Sequence, residues 1–404
     1  MNILYIHQYF VTPKGFTGTR SYWNCKELIN RGHNVTVISA TSNEYPEACT
    51  VYIDGIKVIY VKNEYNIYMS VMRKIYSFVH FITQAIYEAK KLNDIDMVYA
   101  TSTPLTIGYI AMRIKFSKGW PYVFEVRDLW PEFPIQIGAI KNPLVIKILR
   151  SLEKRIYQMA EHVVALSPGM QEGVIAAGTP KEKTSMIPNM SKPDKFFPHE
   201  PNMNIVEKYN LDLKKFNVVH FGSMGRANGL QYITRAAKIL KDMGDSSINF
   251  VFIGDGATCP LLKEEANNWS LDNVQFLGFQ PMNIVSEVVI CCDASITTFL
   301  NLPILKTNSP NKLFDSLSAG KPIIVNSAGW TKDLVEQENC GFFVDPEKPQ
   351  ELAVKLLKIK EDKELLKIWS ENARKLSLEV YDKNILTAQV ANVIENAYKK
   401  RVKK

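Results

Sequence analysis

Thr307-Asn308-Ser309-Pro310-Asn311-Lys312-Leu313-Phe314-Asp315-Ser316-Leu317-Ser318-Ala319-Gly320-Lys321-Pro322 is the stretch on which the reading of the fold turns. Ser309 is a good helix N-cap, and Pro310 suits the first helical position, where its missing N–H is not needed. The spacing predicts a helix over Asn311–Ser318, ended by Gly320 and followed by an apolar strand over Pro322–Asn326. Lys312 then falls in the first turn, where a cation opposes the helix dipole. A residue set against local preference points to function, and an anion bound at that terminus makes the lysine favourable. Asp315, one turn on, is suited to accept hydrogen bonds from vicinal hydroxyls such as those of a ribose.

Upstream of this block the chain alternates strands and helices. Strands are expected at Asn217–Phe221, Asn249–Ile253, Val274–Leu277 and Ala294–Thr298, with helices at Gly229–Leu240 and Cys259–Asn268. Phe221-Gly222-Ser223-Met224-Gly225-Arg226 follows a strand and precedes a helix. Glycines there let backbone N–H groups approach a phosphate, and Arg226 offers a planar fork. An ordinary strand-to-helix turn has the same appearance, so both readings stand. The stretch is not the G-x-G-x-x-G dinucleotide fingerprint, and Gly254-Asp255-Gly256 does not complete one.

The first half repeats the pattern. Strands are expected at Asn2–Ile6, Asn34–Ser39, Lys57–Val61, Met97–Ala100, Tyr122–Val126 and His162–Leu166, with a helix over about residues 20–31. Short apolar runs separated by helices indicate parallel sheets covered on both faces. Ile187-Pro188-Asn189 closes this half, and a segment with Pro193, Pro198 and Pro201 follows. The reading is α/β: two Rossmann-like, doubly wound domains facing across a cleft, with ligands at the carboxyl ends of the strands.

The chain has 404 residues, 46% hydrophobic and 22% charged, values that exclude a disordered or fibrous protein. Its net charge of +8 is local. Between residues 141 and 155, Lys141, Lys147, Arg150, Lys154 and Arg155 face a lone acid, Glu153, and the last six residues carry five basic side chains. The stripe Leu144, Val145, Ile148, Leu149, Leu152, Ile156 beside those charges fits a helix resting on anionic headgroups and equally a solvated basic face over a core stripe. A second helix, with Tyr68, Val71, Met72, Ile75, Phe78, Val79, Ile82 and Ile86 at helical spacing, reads as packed on a sheet or as meeting lipid. Six cysteines without CxxC spacing read as reduced thiols of a cytosolic protein. No segment reaches the roughly 20 apolar residues of a membrane span, and the opening residues read as a strand, not a signal peptide. The histidines show no metal-ligand spacing, His7 reads as a buried, satisfied imidazole, and no Asp-x-Asp motif is present.

In this order, Ile187-Pro188-Asn189, Ile253-Gly254-Asp255-Gly256, Phe276-Leu277-Gly278-Phe279 and the Pro310–Pro322 block resemble the retaining glycosyltransferases of family 4, across essentially the whole chain. His7-Gln8-Tyr9-Phe10 with Gly18-Thr19-Arg20, and Glu125-Val126-Arg127-Asp128-Leu129-Trp130-Pro131, look like the branch that transfers N-acetyl-L-fucosamine in bacterial O-antigen or capsule synthesis. The resemblance implies the GT-B fold. Residues 1–188, joined by a C-terminal helix returning over about 380–404, form an acceptor-side domain, and residues 189–379 bind the nucleotide sugar. It implies a UDP-sugar donor, a lipid-linked (undecaprenyl diphosphate) acceptor, no cofactor and no metal, on the inner face of the cytoplasmic membrane.

Residue by residue, the second Glu of the family's E-x7-E motif corresponds to Asp315, on the ribose, and the first to Thr307, which is no carboxylate. The resemblance further places Gly18, Thr19, Arg20, Gly222, Ser223, Arg226, Gly254, Phe279, Thr307, Ser309, Pro310, Asn311 and Lys312 around the donor. Lys312 supplies charge to the departing phosphate, and Arg127 and Asp128 position the acceptor or handle its proton. Two alternatives remain: a nucleotide-sugar epimerase of similar fold, and a non-catalytic sugar-nucleotide-binding partner. A nucleic-acid partner is not expected, since the basic clusters lack interleaved aromatics.

Overall fold

The computed structural model describes residues 1–13, 15, 19–65 and 69–402. The chain forms two compact α/β units: Met1–Pro188 together with Asn384–Lys404, and Asn189–Lys383. Each is Rossmann-like, with helices on both faces of a largely parallel sheet.

The first unit holds β1 (Asn2–Ile6), β2 (Asn34–Ala40), β3 (Cys49–Ile53), β4 (Ile56–Val61), β5 (Met97–Thr101), β6 (Tyr122–Val126), β7 (His162–Ala165) and β8 (Thr184–Met186). Their order across the sheet is β3-β4-β2-β1-β5-β6-β7-β8, all parallel except the β3–β4 hairpin. The central strands are buried on both faces, which is why they read as unbroken apolar runs. Two strands escape the sequence reading. β3 is an edge strand with no fully buried residue, and its Tyr52 is 74% exposed. Its hairpin turns on Asp54-Gly55, both at positive φ (50° and 87°), the conformation that Asp-Gly favours. β8 has only three residues.

The last helix, Lys383–Val402, belongs largely to this first unit and buries Leu386, Val390, Ala391 and Ile394 there. Several polar contacts pin it, two of them near its middle. The Arg31 guanidinium donates to Asn392 Oδ1 (2.7 Å), and His33 Nε2 lies 3.0 Å from Glu395 Oε1.

The second unit holds β9 (Phe216–Phe221), β10 (Ile248–Ile253), β11 (Val274–Phe276), β12 (Ala294–Thr297), β13 (Ile323–Val325) and β14 (Gly341–Phe343), ordered β11-β10-β9-β12-β13-β14 and parallel. Chain order reverses between β9 and β12, and at such a switch point the strand ends splay and leave room for a ligand. Separate apolar clusters pack each face: Ile233, Leu240, Phe250 and Leu352 in one, Val219, Val251, Val288 and Val289 in the other. The helix expected from Gly229 starts at Gln231. Gly229 (φ 58°) instead ends a 3₁₀ turn over Arg226–Asn228, with its α-carbon so close to the Leu300 backbone that a Cβ would lie 3.1 Å from that nitrogen. The two ends of the unit meet: Ser191 bridges to Asp382 and donates its N–H to the Tyr381 carbonyl (2.8 Å).

Candidate active site

At the switch point of the second sheet, β9 runs into Gly222 at φ 104°, whose N–H donates to the Ile253 carbonyl (2.8 Å). Gly254 (φ 135°) lies directly against it, and a Cβ at Gly254 would strike the Gly222 carbonyl oxygen. A Cβ at Gly256 would come within 2.7 Å of the Met224 backbone. Met224 is held besides by its N–H to Asp255 O (2.9 Å) and by the Thr258 hydroxyl donating to its carbonyl (2.6 Å). Gly254-Asp255-Gly256 is therefore the support on which the Gly222–Gly225 turn rests. Ser223 is exposed in that turn. Arg226 follows, exposed, its carbonyl accepting from the Gly229 N–H (3.2 Å) and its guanidinium without a hydrogen bond or ion pair among the described residues.

Helix Asn311–Ser318 presents its N-terminus to this turn through Lys312, whose Cε is 3.7 Å from the place a Cβ on Gly222 would take. The capping differs from expectation. Pro310 is the N-cap (φ −76°, ψ 129°), and no side chain caps the helix. Ser309 instead accepts from the Asn189 N–H through its Oγ (3.2 Å), and its carbonyl accepts from Asn189 Nδ2 (2.5 Å). The first-turn amides thus keep no side-chain partner, which leaves an uncapped positive helix end. Lys312 Nζ is 3.2 Å from Nε2 of His220, near the end of β9. Burial pushes the Lys312 amine down to about 7. Burial, and then the neighbouring Lys312, hold the His220 imidazole well below its ordinary value. The Thr307 hydroxyl donates to the Ile304 carbonyl (2.7 Å), and Phe279 is 57% exposed.

Asp315, expected on the ribose, is engaged by a lysine inside the second unit. It is 4% exposed, and its Oδ1 lies 2.9 Å from Nζ of Lys192, itself buried. Burial raises the Asp315 carboxyl, and Lys192 works against that rise. Lys192 is a residue that sequence reasoning missed. It stands alone after the Pro188-Asn189 junction, and no local spacing marks it.

In the first unit the expected residues part company. Arg127 and Asp128 follow β6. Arg127 Nη1 donates to Nε2 of His7 (3.3 Å), His7 Nδ1 lies 2.9 Å from Ser21 Oγ, and His7 is buried, the satisfied imidazole expected. Burial and Arg127 keep it well below its usual value. Asp128 accepts from the Thr103 hydroxyl (2.9 Å), and burial raises its carboxyl. Arg20, expected at the donor, is 2% exposed and serves the interior. Its Nε pairs with Glu125 (2.8 Å), and its other nitrogens donate to the Ile187 and Pro188 carbonyls. Glu125 accepts besides from Tyr99 (2.8 Å) and Thr101 (2.6 Å). Burial raises the Glu125 carboxyl, but Arg20, Arg127 and these hydroxyls outweigh it and hold it below its ordinary value. Thr19 is buried and accepts from Trp23 Nε1 (3.0 Å), and Gly18 lies outside the described residues.

Two nucleotide-fold units, the second with a glycine cradle and an uncapped helix end at its switch point, define the class that the family comparisons give. Residues 202–376 match the profile of glycosyl transferases group 1, and residues 17–190 that of a glycosyl transferase 4-like domain. Each half of the chain thus resembles a glycosyltransferase family, and the fold is GT-B. It is 24% identical over 265 residues to the probable glycosyltransferase WbjE of Pseudomonas aeruginosa, a match covering 64% of each chain, somewhat under two thirds of that relative's length. It is 27% identical over 201 residues to the Escherichia coli UDP-Gal:alpha-D-GlcNAc-diphosphoundecaprenol alpha-1,3-galactosyltransferase, 48% of this chain and 49% of that one. HepE of Anabaena, crystallised with UDP-glucose, superposes with a TM-score of 0.72 at 19% identity, over 98% of this chain and 100% of that one.

Proposed function

We propose that the chain is a retaining, metal-independent glycosyltransferase that moves an N-acetylated amino sugar, N-acetyl-L-fucosamine in the first instance, from a UDP-sugar to an undecaprenyl-diphosphate-linked glycan of a bacterial surface polysaccharide. The observation that carries this is the anion cradle of the second unit: the Gly222–Gly225 turn, the uncapped end of helix Asn311–Ser318, and Lys312 between them with no carboxylate beside it. The UDP bound by HepE and the lipid-diphosphate substrate named for the Escherichia coli relative support the donor and acceptor classes.

The chemistry needs little else from the second unit. As the sugar–phosphate bond breaks, negative charge grows on the departing phosphate oxygen. Preorganised amides and the Lys312 ammonium meet that charge without reorganisation. Retention by attack on the departing face needs no protein nucleophile. Asp128 in the first unit, its carboxyl raised by burial, is suited to take or steer the acceptor proton. The matched families contain transferases, so an epimerase is not favoured.

The test is a transfer assay with radiolabelled UDP-N-acetylamino sugars and lipid-linked acceptor. Label should move to lipid only when both substrates are present. Epimerised donor in the absence of acceptor would refute the reading. Lys312→Ala should lower turnover on the order of 10²-fold, the cost of losing one preorganised charge at the leaving group.

A further inference from the structure

His220 stands 92 residues from Lys312 in sequence and 3.2 Å from it in space. Its ring is 1% exposed, and its two nitrogens have different partners. Nδ1 faces the Ile296 carbonyl on β12 at 3.3 Å. The Ser223 backbone also hydrogen-bonds the ring. An ammonium only donates, so Nε2, the nitrogen turned to Lys312, is the acceptor, and Nδ1, facing the Ile296 carbonyl, carries the proton. The imidazole is thereby fixed as a neutral acceptor, and it takes a hydrogen bond from Lys312 along one direction.

Among the described residues no carboxylate offsets a charge on that amine. Asp315, on the same helix, is paired with Lys192. The turn after β9 carries Arg226, a second cation, and Asp255 beyond β10 turns its carboxylate to the Gly256 N–H (2.8 Å). From β12 comes only the Ile296 carbonyl. The positive helix end adds to the deficit of negative charge.

Building on the nucleotide reading above, we infer that His220 is the positioning residue of the anion site: its neutral imidazole holds the Lys312 amine beside the Gly222 turn, and the amine takes its proton when a nucleoside diphosphate docks. The proton enters from solvent, one per diphosphate bound, and none moves to His220. The burial that brings the free amine down to about 7 agrees with this. The diphosphate supplies the missing counter-charge, so the site pairs with an anion instead of carrying an unpaired buried cation.

The experiment is calorimetric titration of the full chain with UDP at pH 7 to 9, in buffers of differing ionisation enthalpy, which counts protons taken up per UDP. Wild-type protein should approach about one proton at pH 8, and Lys312→Met should take up none. His220→Phe should weaken UDP about tenfold, the loss of one hydrogen bond to a charged group, and shift the uptake curve to lower pH. His220→Gln, which keeps an acceptor, should restore both. UDP binding without uptake at pH 8 would overturn the inference, as would a His220→Phe variant that melts lower with its uptake curve unmoved. Failure of wild-type protein to bind UDP would overturn the nucleotide reading itself.

Discussion

Two buried ion pairs carry most of what the individual residues decide. Asp315 and Lys192 neutralise one another inside the second unit, so each is costly without the other. Asp315→Asn strands Lys192 as an unpaired buried cation and should destabilise the protein by about 3–5 kcal/mol. Urea unfolding measures this; a stability within 1 kcal/mol of wild type, by the same principle, would mean that the pair contributes little. Arg20 and Glu125 do the same for the first unit, and the Ile187–Pro188 carbonyls depend on Arg20 as well. The folded Glu125 carboxyl sits below its ordinary 4.5. Its stabilisation is therefore complete above that value and is lost as pH falls through the lower, folded one. Melting temperatures from pH 7 to pH 3 should fall less steeply in Glu125→Gln, from a lower start, than in wild type. Parallel curves would show that Glu125 does not govern the acid limb. None of these pairings was legible in the sequence. Position 315 was readable as an acid one turn into a helix, but its partner is 123 residues away. His220 shows no ligand spacing and gains its meaning only from Lys312.

Among the elements, those built from local signals matched expectation best. Helices Cys259–Asn268 and Asn311–Ser318 have the predicted ends. In both, a proline near the start and an apolar face specify the same segment that packing selects. What failed was short or depended on a distant neighbour. β8 (Thr-Ser-Met) has no apolar run of its own and is held by its parallel partner, and β14 is a three-residue Gly-Phe-Phe segment beside β13. The Ser309 cap failed: Pro310 takes the N-cap position, and the Ser309 hydroxyl accepts from the Asn189 N–H instead. The glycine cradle gives a direct test of element contact. Gly244 and Gly254 both have positive φ, but a Cβ at Gly244 meets nothing, whereas one at Gly254 meets the Gly222 backbone. Each Ala substitution carries about 1–3 kcal/mol of backbone strain. Only Gly254→Ala should go further and weaken UDP binding as it pushes the turn aside. Equal UDP affinity in the two variants, by fluorescence titration, would break the link between the glycine pair and the anion cradle.

For the molecule as a whole, no helix among the described residues is long and apolar enough to cross a membrane. Helix Pro143–Met159 nonetheless leaves Leu144 and Ile148 71% and 66% exposed beside Lys141, Lys147, Lys154 and Arg155. Its early turns thus lack the core stripe that the solvated-face reading requires, while Ile156 at its far end is buried. The lipid-linked acceptor proposed above would give such a face a purpose, a headgroup surface contributing roughly 1 kcal/mol per charge. Replacing those four basic residues with Gln should abolish co-sedimentation with anionic vesicles while leaving neutral-vesicle behaviour unchanged. Undiminished co-sedimentation would remove this face from the account. The returning C-terminal helix has a consequence of another kind. Leu386, Val390 and Ile394 supply core to a unit whose other strands leave the ribosome some two hundred residues sooner. The unit begun first is thus completed last, after the intervening unit, whose ends close on each other at Ser191 and Asp382, is already whole. During that interval the growing polypeptide carries an open apolar groove, and this is the moment in the protein's life at which a chaperone has something to hold.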